Sequence, residues 1–517
     1  MAEQKSRQFE LKKITITTNS DKEMDIRKMV PDFKYYESIE APFCRLELSM
    51  VDSVDFNLNL TGGEKVEIDV VTEAADGKGK LKLKFRIYKI GKIIKSERGQ
   101  MYIIYCCTPE MYNNEINKVF KAFGAIAEGS SKDEEHLPKH IVKKYLKAPG
   151  KRIKDEHFEA HSKMQVVSPN WRPVDLISYI ADKVTRQTSG KGSEKQSGFL
   201  FYENQRGFQF RSIDGLCEQG SEFEFKYVQQ GHTSDEGYLN IESIQYPDKA
   251  NHLRHMRMGT YKTVTSGVSL ANLGVNTVTQ SGGSKDKKSS PSGTVYPARE
   301  TAFDMIFKRA TPLHKQPPFN MPEEVEGEGA PPTRQKMRAI PTLIHQQGKS
   351  GQPKGHPDGG SQAADTLSVA EYAAARYNLM KAIQLTITVP GNTAICAGDV
   401  ISLNIPASRG EQENVLKDRK FSGKYVVAAH TFTFTQRGCT SELLLFRDSI
   451  PNKKQQWKVS KSILKRIRKS STILTQILKC VAILKANCMI LKNTKSTTRK
   501  KLKREIITIL HILSSTA

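Results

Sequence analysis

The chain has 517 residues, 38% of them hydrophobic and 26% charged, which is typical of a globular protein with about two to four domains. Since no run of eighteen apolar residues occurs and no apolar core follows Met1, we expect neither a transmembrane helix nor a secretory signal. The net charge of +25 comes largely from residues 451–517, where 17 Lys and Arg accompany one acid, Glu505. The body of the chain is therefore only mildly basic, and its charge alone does not predict a nucleic-acid-binding domain.

Residues 1–109 alternate between apolar and polar with a period of two, from Phe9 to Tyr105. Turn residues such as Thr61-Gly62-Gly63 separate the alternating segments. This pattern predicts a first β-domain.

Residues 110–215 change to helical spacing and are predicted to form an α+β insert. A hairpin turning at Asn204 to Gly207 is expected within it, and Asn113 or Asn114 is available to cap its first helix. Three helices are predicted, with apolar faces made by Ile116, Val119, Phe120 and Phe123; by Ile141, Val142, Tyr145 and Leu146; and by Leu176, Ile177, Ile180, Ala181 and Val184.

Residues 216–261 plus 367–450 are predicted to form a second β-domain, and an Ala-rich helix at about 367–381 leads into its later strands. Between them, 262–366 is rich in Gly, Ser, Pro and Lys, which predicts a polar, loop-rich insert with β-hairpins. The basic tail, 451–517, could place Ile473, Ile477, Val481 and Leu484 on one face of an amphipathic helix that binds a membrane surface or nucleic acid. We expect instead a weakly ordered extension.

The two β-domains share a sequence pattern. Gly63–Val70 aligns with Gly398–Ile405, with glycine on glycine and acid on acid. Strands with the same alternation lie on both sides, so the repeat extends from about Leu46 to Cys107 and from Ile383 to Arg447. The matching apolar residues are Val66, Ile68 and Val70 in the first copy and Ile401, Leu403 and Ile405 in the second. Two like domains in one chain let a ring of three chains look nearly sixfold.

The sequence shows no motif typical of a catalytic, cofactor-binding or metal-binding site. The close histidine pairs His136/His140, His157/His161 and His252/His255 lack the order of a helical metal site, and Pro138 interrupts the first pair. We expect solvated or loosely packed histidines. The chain has no GxSxG elbow and no GxxxxGK[ST] loop. No catalytic, cofactor-binding or metal-binding residue is predicted, and no cofactor.

Four polar or aromatic residues have two interpretations each. Glu64 and Asp399, which follow glycines at strand starts, are expected to cap turns rather than to catalyse. Trp171 is expected to pack a helix start against a sheet rather than to anchor a partner. His430 is expected to be a half-buried sheet residue rather than a base.

Eight cysteines lack any CxxC pair, so we expect small buried thiols in a reducing compartment, without disulfides or zinc. They are Cys44, Cys106, Cys107, Cys217, Cys396, Cys439, Cys480 and Cys488.

Several segments, in their order along the chain, resemble baseplate central hub proteins of contractile-tailed bacteriophages, which are related to hub heads of contractile injection systems. The resemblance covers about residues 8–450, and the insert and the basic tail depart from it. The segments that carry it are Pro390–Val400, Ser422–His430, Thr440–Arg447, Tyr372–Met380, Phe199–Phe210, Gly259–Tyr261 and Pro169–Trp171.

The resemblance implies a fold of class α+β, mainly β, with two similar tube-type β-domains and α+β and loop-rich insertions. It implies a homotrimer in the virion tail baseplate, assembled in the host cytoplasm late in infection and used in host cell entry. The trimer would adapt a threefold central spike protein to a sixfold tail tube or tube-initiator protein, among surrounding baseplate wedge proteins. DNA would pass through the lumen without specific binding, so we expect no concentration of Lys and Arg there and the basic tail outside it.

Two other functions compete with this structural one. A nucleic-acid-binding protein would use the basic tail, although no aromatic and basic recognition motif is visible. A cell-wall-degrading enzyme would need a catalytic constellation, and the sequence places none. We expect no enzyme.

Overall fold

The structure is a computed structural model of the chain. Predictions for residues 452–517, including the amphipathic face and Cys480 and Cys488, lie outside the residues that it describes. It describes residues 9–54, 56, 60–72, 80–97, 99–126, 136–161, 164–186, 196–227, 239–246, 251–269, 295–302, 307–319, 334–340, 372–406, 418 and 420–451.

Strands dominate these residues. They are β1 (Phe9–Thr17), β2 (Glu23–Asp25), β3 (Asp32–Ser38), β4 (Arg45–Asp52), β5 (Lys65–Thr72), β6 (Lys80–Ser96), β7 (Gly99–Cys107), β8 (Val119–Ile126), β9 (Met164–Trp171), β10 (Phe199–Asn204), β11 (Gly207–Ser212), β12 (Phe223–Tyr227), β13 (Asn240–Ile241), β14 (Ser243–Gln245), β15 (Lys262–Ser269), β16 (Val295–Ala302), β17 (Arg334–Ile340), β18 (Ile383–Pro390), β19 (Val400–Asn404), β20 (Gly423–Thr435) and β21 (Gly438–Arg447).

The helices are short and lie mostly between the two β-regions. Two 3-10 turns, Gly150–Arg152 and Asp155–His157, accompany them. No helix among the described residues is both long and apolar enough to span a membrane. The helices are α1 (Pro109–Ile116), α2 (Leu137–Lys144), α3 (Pro173–Ala181), α4 (Ile213–Cys217), α5 (His252–Met258) and α6 (372–380).

A proline lies in the first turn of α1, α2 and α3. The first turn has no intrahelical use for the missing N–H, and the fixed φ of proline suits a helix start. The prediction that Pro138 interrupts a helix is therefore wrong, because Pro138 helps to begin α2. The second and third predicted helices are confirmed, and their apolar residues Ile141, Leu176 and Ile180 are fully buried.

The first predicted helix is wrong beyond Ile116. Helix α1 ends there and is preceded by Thr108 at its N-cap, not by Asn113 or Asn114. Val119 to Ile126 instead form β8, which pairs antiparallel with β9. In this strand Val119 is buried and Phe120 is 82% exposed, because successive side chains of a strand point to opposite faces. Pairing with a distant strand outweighs the local helical spacing.

The β-strands of the two regions form one mixed sheet. In the first region the order is β5-β6-β7-β4, and in the second it is β19-β20-β21-β18. The regions are joined where β20 pairs antiparallel with β3. The prediction of an α+β, mainly β chain with two similar β-units is confirmed.

The insert between the regions has its own small elements. The predicted hairpin is confirmed, with Asn204 opposite Gly207 in the β10–β11 pair. Farther along, β15 pairs antiparallel with β16 and parallel with β17. The described part of 262–366 thus contains a three-stranded sheet.

Apolar side chains from neighbouring elements form the cores. The core of the first β-region includes Phe432 and Phe434 of β20, and the Phe434 ring stacks on Phe33 at 4.2 Å between centroids. A second core lies under α2, α3 and the β10–β11 hairpin, and a third under β18–β21. Since β20 contributes to the first core, burial as well as hydrogen bonding joins the two regions.

Candidate functional site

The first turn of the repeat is closed by the carboxylate of Glu64. It accepts hydrogen bonds from the backbone N–H of Thr61 at 2.7 Å and of Gly62 at 3.0 Å. Gly63, at φ 86°, donates its N–H to the Ile87 carbonyl at 2.8 Å, and the Ile87 N–H donates to the Glu64 carbonyl at 3.0 Å. A carboxylate that accepts two backbone N–H groups fixes the entry of the following strand.

The second turn repeats this geometry. Asp399 accepts from the Cys396 backbone N–H at 2.8 Å, and Gly398 has φ 95°. The Gly398 N–H donates to the Val427 carbonyl at 2.9 Å, and the Val427 N–H donates to the Asp399 carbonyl at 2.8 Å. The predicted turn-capping roles of Glu64 and Asp399 are both confirmed.

The strands around the turns also correspond. A bulge lies between Ile87 and Lys89 in β6 and between Val427 and Ala429 in β20. Both bulges directly follow the residue that bonds the turn. Insertion of one residue at the same point of two ladders is a specific structural feature. The two β-units are thus alike down to their backbone hydrogen bonds.

The joint between the units runs along β20 and β3. Seven residue pairs span it, from Ala429 opposite Ser38 to Thr435 opposite Asp32. Tyr35 of β3 is only 1% exposed, and its side chain lies in the core of the first β-region. A strand edge left open is prone to pair with another chain, so the joint protects both edges within one molecule.

Glu37 lies at this joint and binds three elements. Its carboxylate accepts from the Tyr35 hydroxyl at 2.7 Å, the Gln205 N–H at 2.7 Å and the Ala397 N–H at 2.9 Å. It is 3% exposed, and burial raises its pKa to about 7. One carboxylate therefore ties the first β-region to the β10–β11 turn and to the turn of the second unit.

The β10–β11 hairpin carries two further ion pairs. Arg206 binds both carboxylate oxygens of Asp399 at 2.8 and 2.9 Å. On the other side, Glu203 lies 2.8 Å from Arg152 and accepts from the Cys44 N–H at 2.9 Å. Burial raises the pKa of Glu203 and that of Asp399, the latter to about 6. The bidentate pair and the buried acid fix the orientation of the hairpin between the two units.

A second network ties the end of the second unit to α4 and α6. Arg376 is fully buried and donates to Asp214 at 2.9 Å and to Asp448 at 2.6 Å. The Tyr372 hydroxyl donates to Asp214 at 2.7 Å. The buried charges of Arg376, Asp214 and Asp448 compensate one another. Removal of one of them would leave an unpaired buried charge, which is strongly destabilising.

His157 and His161 are packed, so the prediction of solvated or loosely packed histidines is wrong for these two. His157 and His161 are 4–5% exposed, and burial lowers the pKa of His157 to about 4. His252 contacts the Tyr261 hydroxyl at 2.6 Å. No three His, Cys, Asp or Glu side chains are arranged as metal ligands in the described part of the chain.

His430, predicted to be half-buried, is 2% exposed. It lies in β20, with one ring nitrogen 3.0 Å from the Ile395 carbonyl and the other 3.0 Å from the Ser441 hydroxyl. Burial lowers its pKa to about 4, so the ring is neutral near pH 7. A neutral ring with both nitrogens occupied serves the sheet and is not placed as a base.

Trp171 and the cysteines take structural positions. Trp171 ends β9, just before α3, and its ring lies 4.9 Å from that of Tyr179 on this helix. The predicted packing at a helix start is confirmed. The six cysteines among the described residues are buried, and no disulfide joins them. Burial raises the pKa of Cys44 and Cys396 well above the ordinary value, which keeps these thiols protonated.

Nothing in this arrangement offers an open reactive group. Glu37, Glu203 and Asp399 have raised pKa values of the kind found in active sites, but they are at most 4% exposed and bonded to neighbours. What the arrangement provides is a joint between two like β-units. Sequence reasoning missed Glu37, Glu203 and Arg376 because their partners lie far along the chain, for example Ala397 for Glu37.

Comparisons with known proteins give structural similarity only. No protein-family model matches the sequence, and no curated protein matches it. The fold is similar to that of the 43 kDa tail protein of prophage MuSo2 from Shewanella oneidensis, with 11% identity, a TM-score of 0.45, and 85% of this chain and 99% of that chain covered. A tail protein from Neisseria meningitidis MC58 gives 10% identity, a TM-score of 0.45, and 84% and 96% coverage.

An Escherichia coli component of the type VI secretion system gives 8% identity, a TM-score of 0.37, and 86% and 77% coverage. That protein is described as structurally similar to the T4 bacteriophage tail proteins gp27 and gp5. These structural neighbours are thus described as tail proteins and as a component of a secretion system.

Proposed function

We propose that this chain is a structural tail protein that forms a homotrimeric baseplate hub, and that it has no catalytic function. The observation that carries the proposal is the repeated unit, in which Gly63-Glu64 and Gly398-Asp399 make the same backbone hydrogen bonds to Ile87 and Val427. Two equivalent units per chain give a ring of three chains six equivalent positions. Such a ring can bind a threefold partner on one side and a sixfold partner on the other.

The partners in this proposal are a central spike protein on the threefold side and a tail tube or tube-initiator protein on the sixfold side, among baseplate wedge proteins. DNA passes through the lumen without specific binding. The hub nucleates the tube, belongs to the virion tail baseplate, and assembles in the host cytoplasm.

The proposed domains are 1–109, 110–215, 216–261 plus 367–450, 262–366 and 451–517. Tight packing of paired side chains at the joint supports a rigid structural role, since the acids at the joint, Glu37, Glu203 and Asp399, are buried and bonded.

Electron microscopy of the purified full-length chain tests this proposal. End-on views should show a closed ring with six lobes of two alternating kinds. Rotational averaging should then give a stronger map with threefold than with sixfold symmetry. Particles of a single chain, or a ring whose lobes do not come in two kinds, would contradict the proposal.

The basic tail favours a second candidate, a nucleic-acid-binding protein, because 17 Lys and Arg lie within residues 451–517. DNA affinity of the full chain, measured between 50 and 200 mM salt, separates the two functions. A nucleic-acid-binding protein would bind tightly and lose about 10³-fold or more in affinity over this range. A structural hub should bind DNA weakly at the upper salt concentration.

A further inference from the structure

We propose that two copies of this chain join by strand pairing between the outer edge of β6 in one copy and the outer edge of β14 in the next. This contact repeats, between subunits, the joint that β20 and β3 form within one chain. The inference rests on the proposed ring and adds to it which edges meet and in what register.

Strand β6 of the first unit corresponds to β20 of the second. After its bulge, β20 pairs with β21 along one edge and with β3 along the other. After the equivalent bulge, β6 pairs with β7 along one edge. A second bulge between Gly91 and Ile94, which β20 lacks, interrupts this pairing, so the register beyond it is counted from Ile94. Along its other edge, over residues 89–96, no strand of the described chain pairs with it. The position that β3 fills in the second unit is thus open in the first.

Strand β14 of the second unit corresponds to β3 of the first. Ile244 of β14 is opposite Ile387, as Phe33 of β3 is opposite Leu48. Ile387 in β18 and Leu48 in β4 hold equivalent positions, because the residues opposite them in β21 and β7 correspond to each other. The edge of β3 that faces β20 corresponds to an edge of β14 along which no described strand lies. One chain therefore presents both halves of a second joint.

The residue pairs of the internal joint fix the register. In the internal joint Thr433 is opposite Lys34 on one side and Thr440 on the other. Met101 in the first unit holds the position that Thr440 holds in the second. Since Met101 is opposite Ile94, Ile94 holds the position of Thr433. Gln245 takes the place of Lys34. The expected pairs are Ile94 with Gln245 of the partner subunit, Lys95 with Ile244 of the partner subunit, and Ser96 with Ser243 of the partner subunit.

Exposure of side chains at both edges supports this pairing. Ile94 is 66% exposed and Tyr246, one residue beyond β14, is 51% exposed. Uncovered strand edges with apolar side chains pair readily with another chain. A second copy of this chain is the occupant because it already contains the fitting edge.

The two edges of one chain differ, so the contact is heterologous. A heterologous contact closes into a ring when its rotation is an integral fraction of a full turn. If the contact between chains relates neighbouring β-units by the same rotation as the internal joint, the two units of each chain fill two equal steps around the ring.

A pair of engineered cysteines tests the register. In a full-length chain with Cys480 and Cys488 replaced by serine, Ser96→Cys and Ser243→Cys should form a disulfide between subunits under mild oxidation. Residues directly opposite in an antiparallel pair have Cα atoms about 4.5–5.5 Å apart, within the range of a disulfide. Non-reducing electrophoresis should show most of the protein as covalently linked chains.

The matched control is Ser96→Cys with Gln245→Cys, which is two residues out of register and about 7–8 Å apart. It should give little linkage. This inference is overturned if the wild-type protein is an oligomer but Ser96→Cys/Ser243→Cys forms no disulfide, or if the control variant links equally well. Either result leaves the proposed ring standing. A wild-type chain that stays monomeric overturns the proposed function itself.

Amide hydrogen exchange of the unmodified chain gives an independent test. Residues 89–96 and 243–246 should exchange at least tenfold more slowly in the assembled protein than in the dissociated chain. Unchanged exchange at both edges in an oligomer would overturn the inference.

Discussion

At the scale of single residues, buried charges organise the meeting point of the two β-units. Glu37 accepts from groups in three separate elements, and Arg206 binds Asp399 across the same boundary. A buried acid is tolerated only where donors surround it. These contacts fix the geometry of the joint more tightly than apolar packing alone would.

We expect the contribution of Glu37 to the stability of the fold to fall as the pH rises from 5 to 8. Burial raises the pKa of Glu37 to about 7, so the folded chain holds this proton more tightly than the unfolded chain. The stabilisation is complete below the ordinary carboxyl range and is lost as the pH rises through 7, on the order of 3 kcal/mol in all. Urea midpoints measured at several pH values should show this slope in the difference between wild type and Glu37→Gln.

The matched control for this experiment is Glu67→Gln. A hydrogen bond from Lys84 lowers the pKa of Glu67, so this acid stays ionised between pH 5 and 8 and its replacement should leave the slope unchanged. Equal slopes in wild type and Glu37→Gln would show that Glu37 does not titrate in this range.

The buried cation Arg376 gives a second prediction. Arg376→Met removes the charge that compensates Asp214 and Asp448, and we expect a loss of about 3–5 kcal/mol in the free energy of unfolding. Arg27→Met is the control, since Arg27 and Asp25 are both nearly half exposed and such a pair is worth about 1 kcal/mol or less. Similar losses in the two variants, measured by urea unfolding, would contradict the assigned network.

At the scale of elements, the two glycine turns are alike in backbone but differ in surroundings. A Cβ at Gly63 would meet nothing within 4 Å, whereas a Cβ at Gly398 would lie 2.1 Å from the Tyr202 hydroxyl. Both glycines have positive φ. Gly63→Ala should therefore cost about 1 kcal/mol from backbone strain, and Gly398→Ala about 1–3 kcal/mol more from overpacking.

Thermal unfolding of the two glycine variants, in the same buffer, measures this difference. A lower midpoint for Gly398→Ala than for Gly63→Ala is the expected order. The reverse order would mean that the second turn can move away from Tyr202, and that the β10–β11 hairpin does not hold it.

The repeat could be predicted from sequence because alternation and turn residues are local signals. Gly63-Glu64 and Gly398-Asp399 mark the same turn, and the strands around them keep a period of two. The helix predicted through Phe123 was wrong because apolar residues at 116, 119, 120 and 123 fit a helix as well as a bulged strand. Only the pairing of β8 with β9 decides between them.

The joint itself could not be predicted. Register between β20 and β3 is set by residues about 400 positions apart, such as Phe434 and Phe33, and no local pattern encodes such a distance. The same holds for the buried acids, whose partners Ala397 and Cys44 lie far from them in sequence. A lone acid within a strand carries no sign of its donors.

At the scale of the whole molecule, the repeat is a means of matching symmetries. Each described β-unit has the same order of four strands, and the joint inside one chain uses an edge of each. Among the described strands, β6 of the first unit and β14 of the second each have an edge with no paired strand. A chain built this way can add copies of itself without new kinds of contact.

The central claim is that chains of this protein close into a threefold ring. Light scattering coupled to size exclusion measures the mass of the full-length protein directly. We predict three times the 58.1 kDa of one chain, unchanged over a tenfold range of concentration. A mass of one chain at all concentrations, or a mass that grows without limit as open filaments form, would contradict the account.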